Sequence, residues 1–431
     1  KSPRLVPHFP LDKGGWPVTL RIGNGCGVWG DLTEAPIRFV ESAQVDFLTL
    51  EYLAELTMSI LARQRRRDPR SGYAHDFVEV LRSLVPAMRQ QPGLRIVTNA
   101  GGMNPMACAQ AAAEVLLEAG WDDAVIGTVW RDDIASDLPA WSQQMDFEQM
   151  DTGEPLGDRL SKIASANVYL GASGIVAALD AGARIVITGR VADASLTVGP
   201  AVHHFGWSWN DWNALAGATV AGHLIECGAQ VTGGYSTQWQ SVPNLANAGY
   251  PIAEIEADAS CVITKPPGSG GQVNRRTVVE QLVYEIGDPQ HYLTPDVDAD
   301  FSTVTVEETE RDRVLVRGAT GRPAPDDYKA SLVYADGTMA SGQLLVYGTD
   351  CIAKANACAE IIFQRVEAAG FSLANTNVEL LGVGDSLPID REAASNRDSL
   401  REIVLRISVR DAQREAVECF TRQFASLITS G

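Results

Sequence analysis

The pattern that most constrains this chain is an alternation of short apolar runs with helical stretches over the first three hundred residues. The apolar runs lie at 18–22, 45–50, 94–98 and 184–188, and each ends in a polar or glycine-rich turn. Strands that alternate with helices in this way form a mostly parallel sheet with helices on both faces. The sequence therefore predicts an α/β fold with a mostly parallel sheet flanked by helices.

The pattern changes after residue 300, where several strand-like runs follow one another without intervening helices. A helical pattern over 352–369 interrupts them, and another closes the chain over 413–428. Successive strands followed by packed helices are typical of an α+β arrangement. We therefore predict an α/β ligand-binding or catalytic lobe over 16–300 and a smaller C-terminal α+β lobe over 301–431. The strand-like runs after residue 300 are 304–306, 314–316, 329–335, 343–347, 378–383 and 403–409.

Charge excludes several classes of partner. The chain has 35 Lys and Arg against 54 Asp and Glu, a formal net charge of −19. The field of such an acidic protein repels nucleic acids and anionic membranes, so we expect neither as a partner. No apolar run reaches the ~20 residues that a membrane span requires, and residues 1–17 hold no apolar signal-peptide core. We expect a soluble, cytoplasmic protein that acts on a small molecule.

Polar residues stand within a few positions of three of these strand ends. In a parallel sheet, such ends lie at the edge where ligands bind. Glu51, Asn99, Arg190 and Asp193 hold these positions. Glu51 and Asp193 are candidates for general acid/base catalysis, and Arg190 and Asn99 are candidates for stabilising negative charge. Because Arg190 and Asp193 are three residues apart, the alternative is that they pair with each other and that Asp193 caps the following helix.

A histidine and a glutamate stand three residues apart in a helical stretch, and hence on one helix face. They are His223 and Glu226, with Cys227 adjacent. Acid/base use of His223 or Glu226 is one interpretation, and satisfied interior polar groups are the other. A zinc site would need further ligands, which His203 and His204 supply only if the fold brings them close. We therefore predict no metal site.

Glycine-rich turns offer backbone N–H groups that can hold an anion. One turn follows the run at 94–98, and the other, Lys265–Gly271, separates an apolar strand from a helical pattern. The second turn lacks the Gly-Lys-Ser/Thr spacing of a P-loop, and a plain surface turn is the alternative interpretation. The candidate residues for holding the phosphates of a carrier are Gly101, Gly102, Lys265, Gly268, Ser269, Gly270 and Gly271.

The segment Gly25-Cys-Gly27-Val-Trp-Gly30 matches the spacing of a dinucleotide fingerprint. A helix does not follow it cleanly, and the nearest acidic residue after the second strand is Glu51, so the match is a weak indication of NAD binding. The alternative is a close backbone turn that lines a ligand cleft.

Five ungapped stretches of the chain are long enough to be specific: IGNGCGVWGD (22–31), LTLEYLAELTMSI (48–60), VTNAGG (97–102), IVITGRVADASLTVGP (185–200) and GHLIECGAQ (222–230). Taken together, they resemble the acyclic terpene utilisation (AtuA-like) family, and the likeness extends over nearly the whole chain. The resemblance implies a role in the catabolism of acyclic terpenoids and branched acids as coenzyme A thioesters. It assigns no catalytic residue, so the motif positions are carried over only as linings of a pocket.

We therefore predict an enzyme that acts on an acyl-CoA or a related carboxylated metabolite through hydratase, lyase or hydrolase chemistry. Its substrate would be a coenzyme A thioester, and the protein would be a homo-oligomer. One alternative is a non-catalytic binding or accessory subunit of an acyl-CoA pathway, and another is an NAD-dependent oxidoreductase. The prediction requires that Gly101, Arg190, His223 and Gly270 share one cleft.

Overall fold

The computed structural model describes residues 19–384 and 399–430, so positions 16–18 of the predicted first lobe lie outside it. The chain divides into two compact units, one that ends at Tyr334 and one that begins at Ala335.

The first unit contains fourteen of the strands and nine of the α-helices in the described part of the chain. Its strands are β1 (Leu20–Cys26), β2 (Phe47–Leu50), β3 (Arg95–Thr98), β4 (Ile126–Val129), β5 (Ile163–Val168), β6 (Ile185–Thr188), β7 (Ile252–Ile255), β8 (Cys261–Thr264), β9 (Tyr292–Leu293), β10 (Asp298–Asp300), β11 (Thr305–Glu310), β12 (Arg313–Arg317), β13 (Thr320–Arg322) and β14 (Ala330–Tyr334). Its α-helices are α1 (Ala35–Ser42), α2 (Glu55–Arg67), α3 (Asp76–Gln90), α4 (Pro105–Glu118), α5 (Leu138–Trp141), α6 (Ser173–Asp180), α7 (Ser195–Phe205), α8 (Trp212–Ile225) and α9 (Arg275–Leu282).

A nine-stranded mixed sheet organises this unit, with the strand order β11-β12-β8-β7-β1-β2-β3-β6-β4. Strands β1, β2, β3, β6 and β4 are parallel to one another. Strands β7, β8, β12 and β11 extend the sheet from β1 in antiparallel steps. The predicted α/β class with a mostly parallel core is confirmed.

Helices cover both faces of the sheet, so its central strands are apolar on both sides. Side chains such as Ile22 and Val186 face one buried cluster, which includes residues of α6, α7 and α8. Their neighbours on the opposite face, such as Leu48 and Ile187, face a second cluster with residues of α1, α3 and α4. Helix α4 begins directly after Asn104, which caps the helix by accepting a hydrogen bond from the Ala107 amide at 3.3 Å.

Strands that were predicted for the C-terminal lobe pair with strands of the first unit. Strand β12 pairs with β8, and β14 pairs with β5. Antiparallel strands can extend the edge of a parallel sheet, so the change of pattern near residue 300 does not coincide with the division after Tyr334. The division into an α/β lobe at 16–300 and an α+β lobe at 301–431 stays a prediction.

The second unit is an antiparallel sheet with the order β15-β17-β16, packed against two helices. Its elements are β15 (Thr338–Tyr347), α10 (Cys351–Ala368), β16 (Asn375–Leu381), β17 (Glu402–Asp411) and α11 (Arg414–Ser430). Buried residues from both helices, including Ile362 and Phe420, pack on one face of the sheet against Leu405 and Ile407. Positions 385–398 between β16 and β17 lie outside the described residues.

Candidate active site

The carboxyl ends of neighbouring parallel strands bring distant residues together at one edge of the large sheet. Glu51 follows β2, Asn99 follows β3 and Arg190 stands two residues after β6. Because β2, β3 and β6 are consecutive in the sheet, their ends are about 5 Å apart from one strand to the next. The fold therefore gathers these three side chains where parallel sheets bind ligands.

Glu51 is a buried carboxyl group with one oxygen bonded and one oxygen unpartnered. Oε1 accepts hydrogen bonds from the side-chain amide of Asn99 and from the Leu53 backbone at 3.0 Å. Asn99 is fixed in turn, because its Oδ1 accepts from the Tyr52 backbone at 2.8 Å. Oε2 has no hydrogen-bond partner among the described residues. Burial raises the pKa of Glu51 well above its usual value, and the negative charge of Asp193 raises it further.

Arg190 is the buried cation of the site, with 2% of its side chain exposed. Its guanidinium donates to Oδ1 of Asp193 at 2.6 Å and to the Leu53 carbonyl at 3.2 Å, and it lies 4.1 Å from the ring centroid of Tyr169. Nε has no hydrogen-bond partner among the described residues. Burial disfavours the charged form, but Asp193 and other neighbours hold the pKa of Arg190 above its usual value.

The expected pairing of Arg190 with Asp193 is therefore present, whereas the expected helix cap is not. Helix α7 begins at Ser195 after Ala194, and no side chain accepts a hydrogen bond at that cap. Asp193 keeps 36% of its side chain exposed, so this carboxylate joins the buried guanidinium to the surface.

His223 and Glu226 lie next to each other at the end of α8. Nε2 of His223 lies 2.9 Å from the Gln281 carbonyl oxygen. A carbonyl only accepts hydrogen bonds, so Nε2 carries the proton and Nδ1 of the neutral ring has the lone pair. Nδ1 lies 3.4 Å from Oε1 of Glu226. Burial lowers the pKa of His223 and raises that of Glu226 well above its usual value, with a further upward effect of Asp193 on Glu226.

The charges of one arginine–aspartate pair act on both Glu51 and Glu226. The charge of Asp193 raises the pKa of both Glu51 and Glu226, and the charge of Arg190 lowers both. Both glutamates therefore lie within electrostatic reach of one ion pair. We call the six residues the acid–arginine cluster. Its members are Glu51, Asn99, Arg190, Asp193, His223 and Glu226, which are the six candidates that we predicted for catalysis.

Comparison with known proteins supports the resemblance seen in the motifs. A family model described as "Acyclic terpene utilisation family protein AtuA" matches residues 20–431. The chain belongs to the acyclic terpene utilisation family. No curated protein and no solved structure matches it.

Neither a membrane-spanning helix nor a metal-binding cluster occurs among the described residues of this family member. None of its described helices is both long enough and apolar enough to cross a membrane. In the same residues, no group of three or more His, Cys, Asp or Glu is placed to hold a metal ion.

One of the dinucleotide-like glycines of this family member, Gly27, lies against its own backbone. A Cβ at Gly27 would lie 2.6 Å from the carbonyl carbon of Cys227, the residue after Glu226. The Gly27 amide donates to Oδ2 of Asp31 at 3.0 Å. That carboxylate takes the amide that a pyrophosphate would need. The turn therefore makes the close backbone approach that we gave as the alternative to NAD binding. It packs the end of β1 against the residues that follow α8.

Gly101 and Gly102 shape the turn after β3. A Cβ at Gly101 would lie 2.5 Å from the carbonyl oxygen of Thr188, at the end of β6. Gly102 has a φ of +48°, and its amide donates to the Asn99 carbonyl at 3.1 Å. The turn therefore passes directly over the strand end that leads to Arg190.

The glycine-rich loop at 268–271 uses its donors inside the fold. The amides of Ser269, Gly270 and Gly271 donate to backbone carbonyls of the same chain at 3.3, 2.8 and 2.8 Å. Lys265 donates to the Ser269 carbonyl at 3.0 Å and lies 3.4 Å from Asp312. The loop follows β8, which β7 separates from β1.

Of the four residues that were expected to share one cleft, three lie in or beside the acid–arginine cluster and one does not. Arg190 and His223 belong to the acid–arginine cluster, and Gly101 borders it through the end of β6. Gly270 lies at another part of the sheet edge, in the loop that follows β8.

Two aromatic residues near the cluster were missed in the sequence. Tyr169 lies beside Arg190, and its hydroxyl is bonded to Glu55. Tyr292 has its ring centroid 5.7 Å from that of His223. Burial raises the pKa of Tyr292, and the charges of Glu226 and Asp193 add to this effect. Tyr169 directly follows β5, so its position at a strand end was a usable signal, whereas Tyr292 stands in a region with no motif.

Proposed function

We propose that this member of the acyclic terpene utilisation family is an acid/base enzyme. Its reaction would be hydration or the reverse elimination of water, on the coenzyme A thioester of an unsaturated acyclic or branched acid. The observation that carries the proposal is the presence of two buried glutamates, each with an unpartnered carboxyl oxygen, around one buried arginine. Related lyase or hydrolase steps would use the same groups.

Hydration of a conjugated double bond needs a base, an acid and a group that stabilises an enolate. We assign the ionised form of Glu226, whose Oε2 has no hydrogen-bond partner among the described residues, as the base that takes a proton from water. The water oxygen bonds to the β-carbon, and electrons move to the thioester oxygen. Glu51 then gives its proton to the α-carbon, and the C–O and C–H bonds replace the double bond.

Arg190 is the group that would stabilise the enolate. Its Nε is buried and has no partner among the described residues, so it can donate to an oxygen whose charge grows in the transition state. Because burial keeps water away from this donor, its effect on a developing charge is larger than at the surface. Asn99 would act through Glu51, which it holds in place.

The substrate class rests on the family, whose description names acyclic terpene utilisation. The loop at 268–271 adds no support for coenzyme A, because its amides are bonded within the chain. The acid–arginine cluster therefore supports the reaction, and the family supports the substrate class.

Single substitutions test this assignment. E51Q and E226Q keep the size of each side chain and remove its acid/base function. With a panel of branched enoyl-CoA thioesters, the loss of conjugated absorbance should slow by about 10²–10⁴-fold in each variant. Binding of the same thioesters, measured by calorimetry, should change little. E79Q, on the exposed face of α3, is the matched control and should keep full turnover.

Two outcomes would contradict the proposal. Full turnover in both variants would remove the glutamates from the reaction. Tight thioester binding without turnover in the wild-type protein would favour the non-catalytic accessory subunit instead.

A further inference from the structure

The second unit presents a long strand edge without a partner in the described part of the chain. Strand β15 pairs with β17 through ten consecutive residue pairs, from Thr338 with Asp411 to Tyr347 with Glu402, without a bulge. The order β15-β17-β16 leaves the other side of β15 as an edge. Its outward N–H and C=O groups form a template on which another strand can pair.

This edge lacks the features that normally prevent such pairing. The sequence of β15, TMASGQLLVY, contains no charged residue and no proline. By contrast, edge strand β11 carries three glutamates and a register shift. Edge strand β4 has four residues, and the opposite edge of the small sheet, β16, carries Glu379. Charges, bulges and shortness protect strand edges, so β15 stands out as an edge suited to association.

The exposed side chains of β15 also favour association. Helices α10 and α11 pack on one face of the small sheet, and the odd-numbered residues of β15 are exposed on the other. Among them, Met339 is 73% exposed, Leu345 63% and Tyr347 71%. Three large apolar side chains are therefore in water along one uncharged strand.

We propose that β15 pairs antiparallel with β15 of a second copy of this chain, about a twofold axis at Gln343. Residues that oppose each other in an antiparallel pair lie on the same face of the sheet. With the axis at Gln343, each Met339 lies opposite Tyr347 of the other copy, and each Ser341 lies opposite Leu345. The two small sheets become one sheet of six strands, with a closed, isologous interface.

The uncharged strand makes a second copy a suitable occupant, because β15 meets itself in this register without like charges opposite each other. Two molecules of net charge −19 repel each other, so a stable contact needs a surface free of acidic residues. Strand β15 meets this condition.

The surface is separate from the proposed reaction, because no residue of the acid–arginine cluster belongs to the second unit. Its test is therefore independent of the catalytic assignment. The full-length protein should sediment as a dimer at micromolar concentration. A monomer at this concentration would overturn the proposal.

Substitutions at Gln343 test the axis directly. Q343E and Q343K each place two like charges opposite each other, so each should raise the dimer dissociation constant at least tenfold. An equimolar mixture of Q343E and Q343K should form a heterodimer, since the opposite charges then face each other. Undiminished dimers of either variant alone, or no heterodimer in the mixture, would overturn the proposed register.

A disulfide provides a second, covalent test. Q343C should form a cross-linked dimer under mild oxidation, because a residue on the axis faces its own copy. N377C is the matched control, since Asn377 is exposed on strand β16 at the other edge of the same sheet. Equal cross-linking of Q343C, N377C and the wild-type protein would overturn the proposal.

Discussion

Oδ1 of Asp193 lies 2.6 Å from a guanidinium nitrogen of Arg190, and this half-exposed carboxylate controls two buried acids at once. Its charge raises the pKa of both Glu51 and Glu226. The same carboxylate also neutralises Arg190, whose charge lowers both pKa values.

The first prediction follows from this double effect. D193N removes the negative charge and leaves the charge of Arg190 uncompensated, so the pKa of Glu51 and of Glu226 should both fall. Carbon-13 NMR titration of the glutamate carboxyl groups measures the change. D258N, at the turn between β7 and β8, is the control and should leave both pKa values in place. Unchanged values in D193N would show that the three carboxyl groups are not coupled.

The second prediction concerns the amide that holds Glu51. N99A removes the donor to Glu51 and the acceptor for the Tyr52 backbone amide, both of which are buried. Leaving such groups unpaired should lower the free energy of unfolding by about 2–4 kcal/mol in urea titrations. N210A, at an exposed position, should change it by less than about 0.5 kcal/mol. Equal stability of N99A and the wild-type protein would contradict the hydrogen-bond assignment.

The third prediction is a pH effect on stability from Asp296. Burial raises the pKa of Asp296 from 3.8 to about 6, although it accepts hydrogen bonds from the Ala172 amide and the Ser195 hydroxyl. The folded state therefore binds this proton more tightly, and the stabilisation is lost as pH rises from about 4 through 6. Relative to the wild-type protein, D296N should gain up to about 3 kcal/mol between pH 4 and pH 7.

Asp411 provides a control of opposite sign for this effect. Hydrogen bonds from the Gln413 and Ala374 amides lower the pKa of Asp411. Its ionised form therefore stabilises the fold above the usual pKa, and D411N should lose stability relative to the wild-type protein as pH rises. Denaturant titrations at both pH values measure the two trends, and parallel trends would contradict the assignment.

The fourth prediction tests the close approach at Gly27. A Cβ there would lie 2.6 Å from the Cys227 carbonyl carbon, which is backbone and cannot turn aside. G27A should therefore lower the free energy of unfolding by about 1–3 kcal/mol. At Gly93 a Cβ would meet nothing within 4 Å, so G93A should be neutral or slightly stabilising. Similar effects of the two variants would show that the turn after β1 is not tightly packed.

Local signals in the sequence were sufficient for four of the five parallel strands of the large sheet, whereas β4 was not predicted. Apolar runs with polar residues at their ends predicted β2, β3 and β6, and so predicted that Glu51, Asn99 and Arg190 lie at one edge. The cap at Asn104 was likewise readable, because a cap and its helix are adjacent in the chain. These features depend on a few neighbouring residues.

Features that depend on distant partners were not readable. The amide of Gly270 is bonded to the Asn247 carbonyl, and nothing near residue 270 in the chain reveals this pairing. Strand β12 joins β8 across some fifty residues of sequence, so its membership of the large sheet was hidden. The position of Tyr292 beside His223 is a product of the same long-range packing.

The unpartnered oxygens of Glu51 and Glu226 and the unpartnered Nε of Arg190 place function in conflict with stability. Each buried polar atom without a partner costs about 1–3 kcal/mol, a sizeable share of what holds a domain folded. Selection for heat resistance alone would therefore favour apolar replacements at these positions. We expect the most thermostable variants of this protein to be those in which the cluster has been erased.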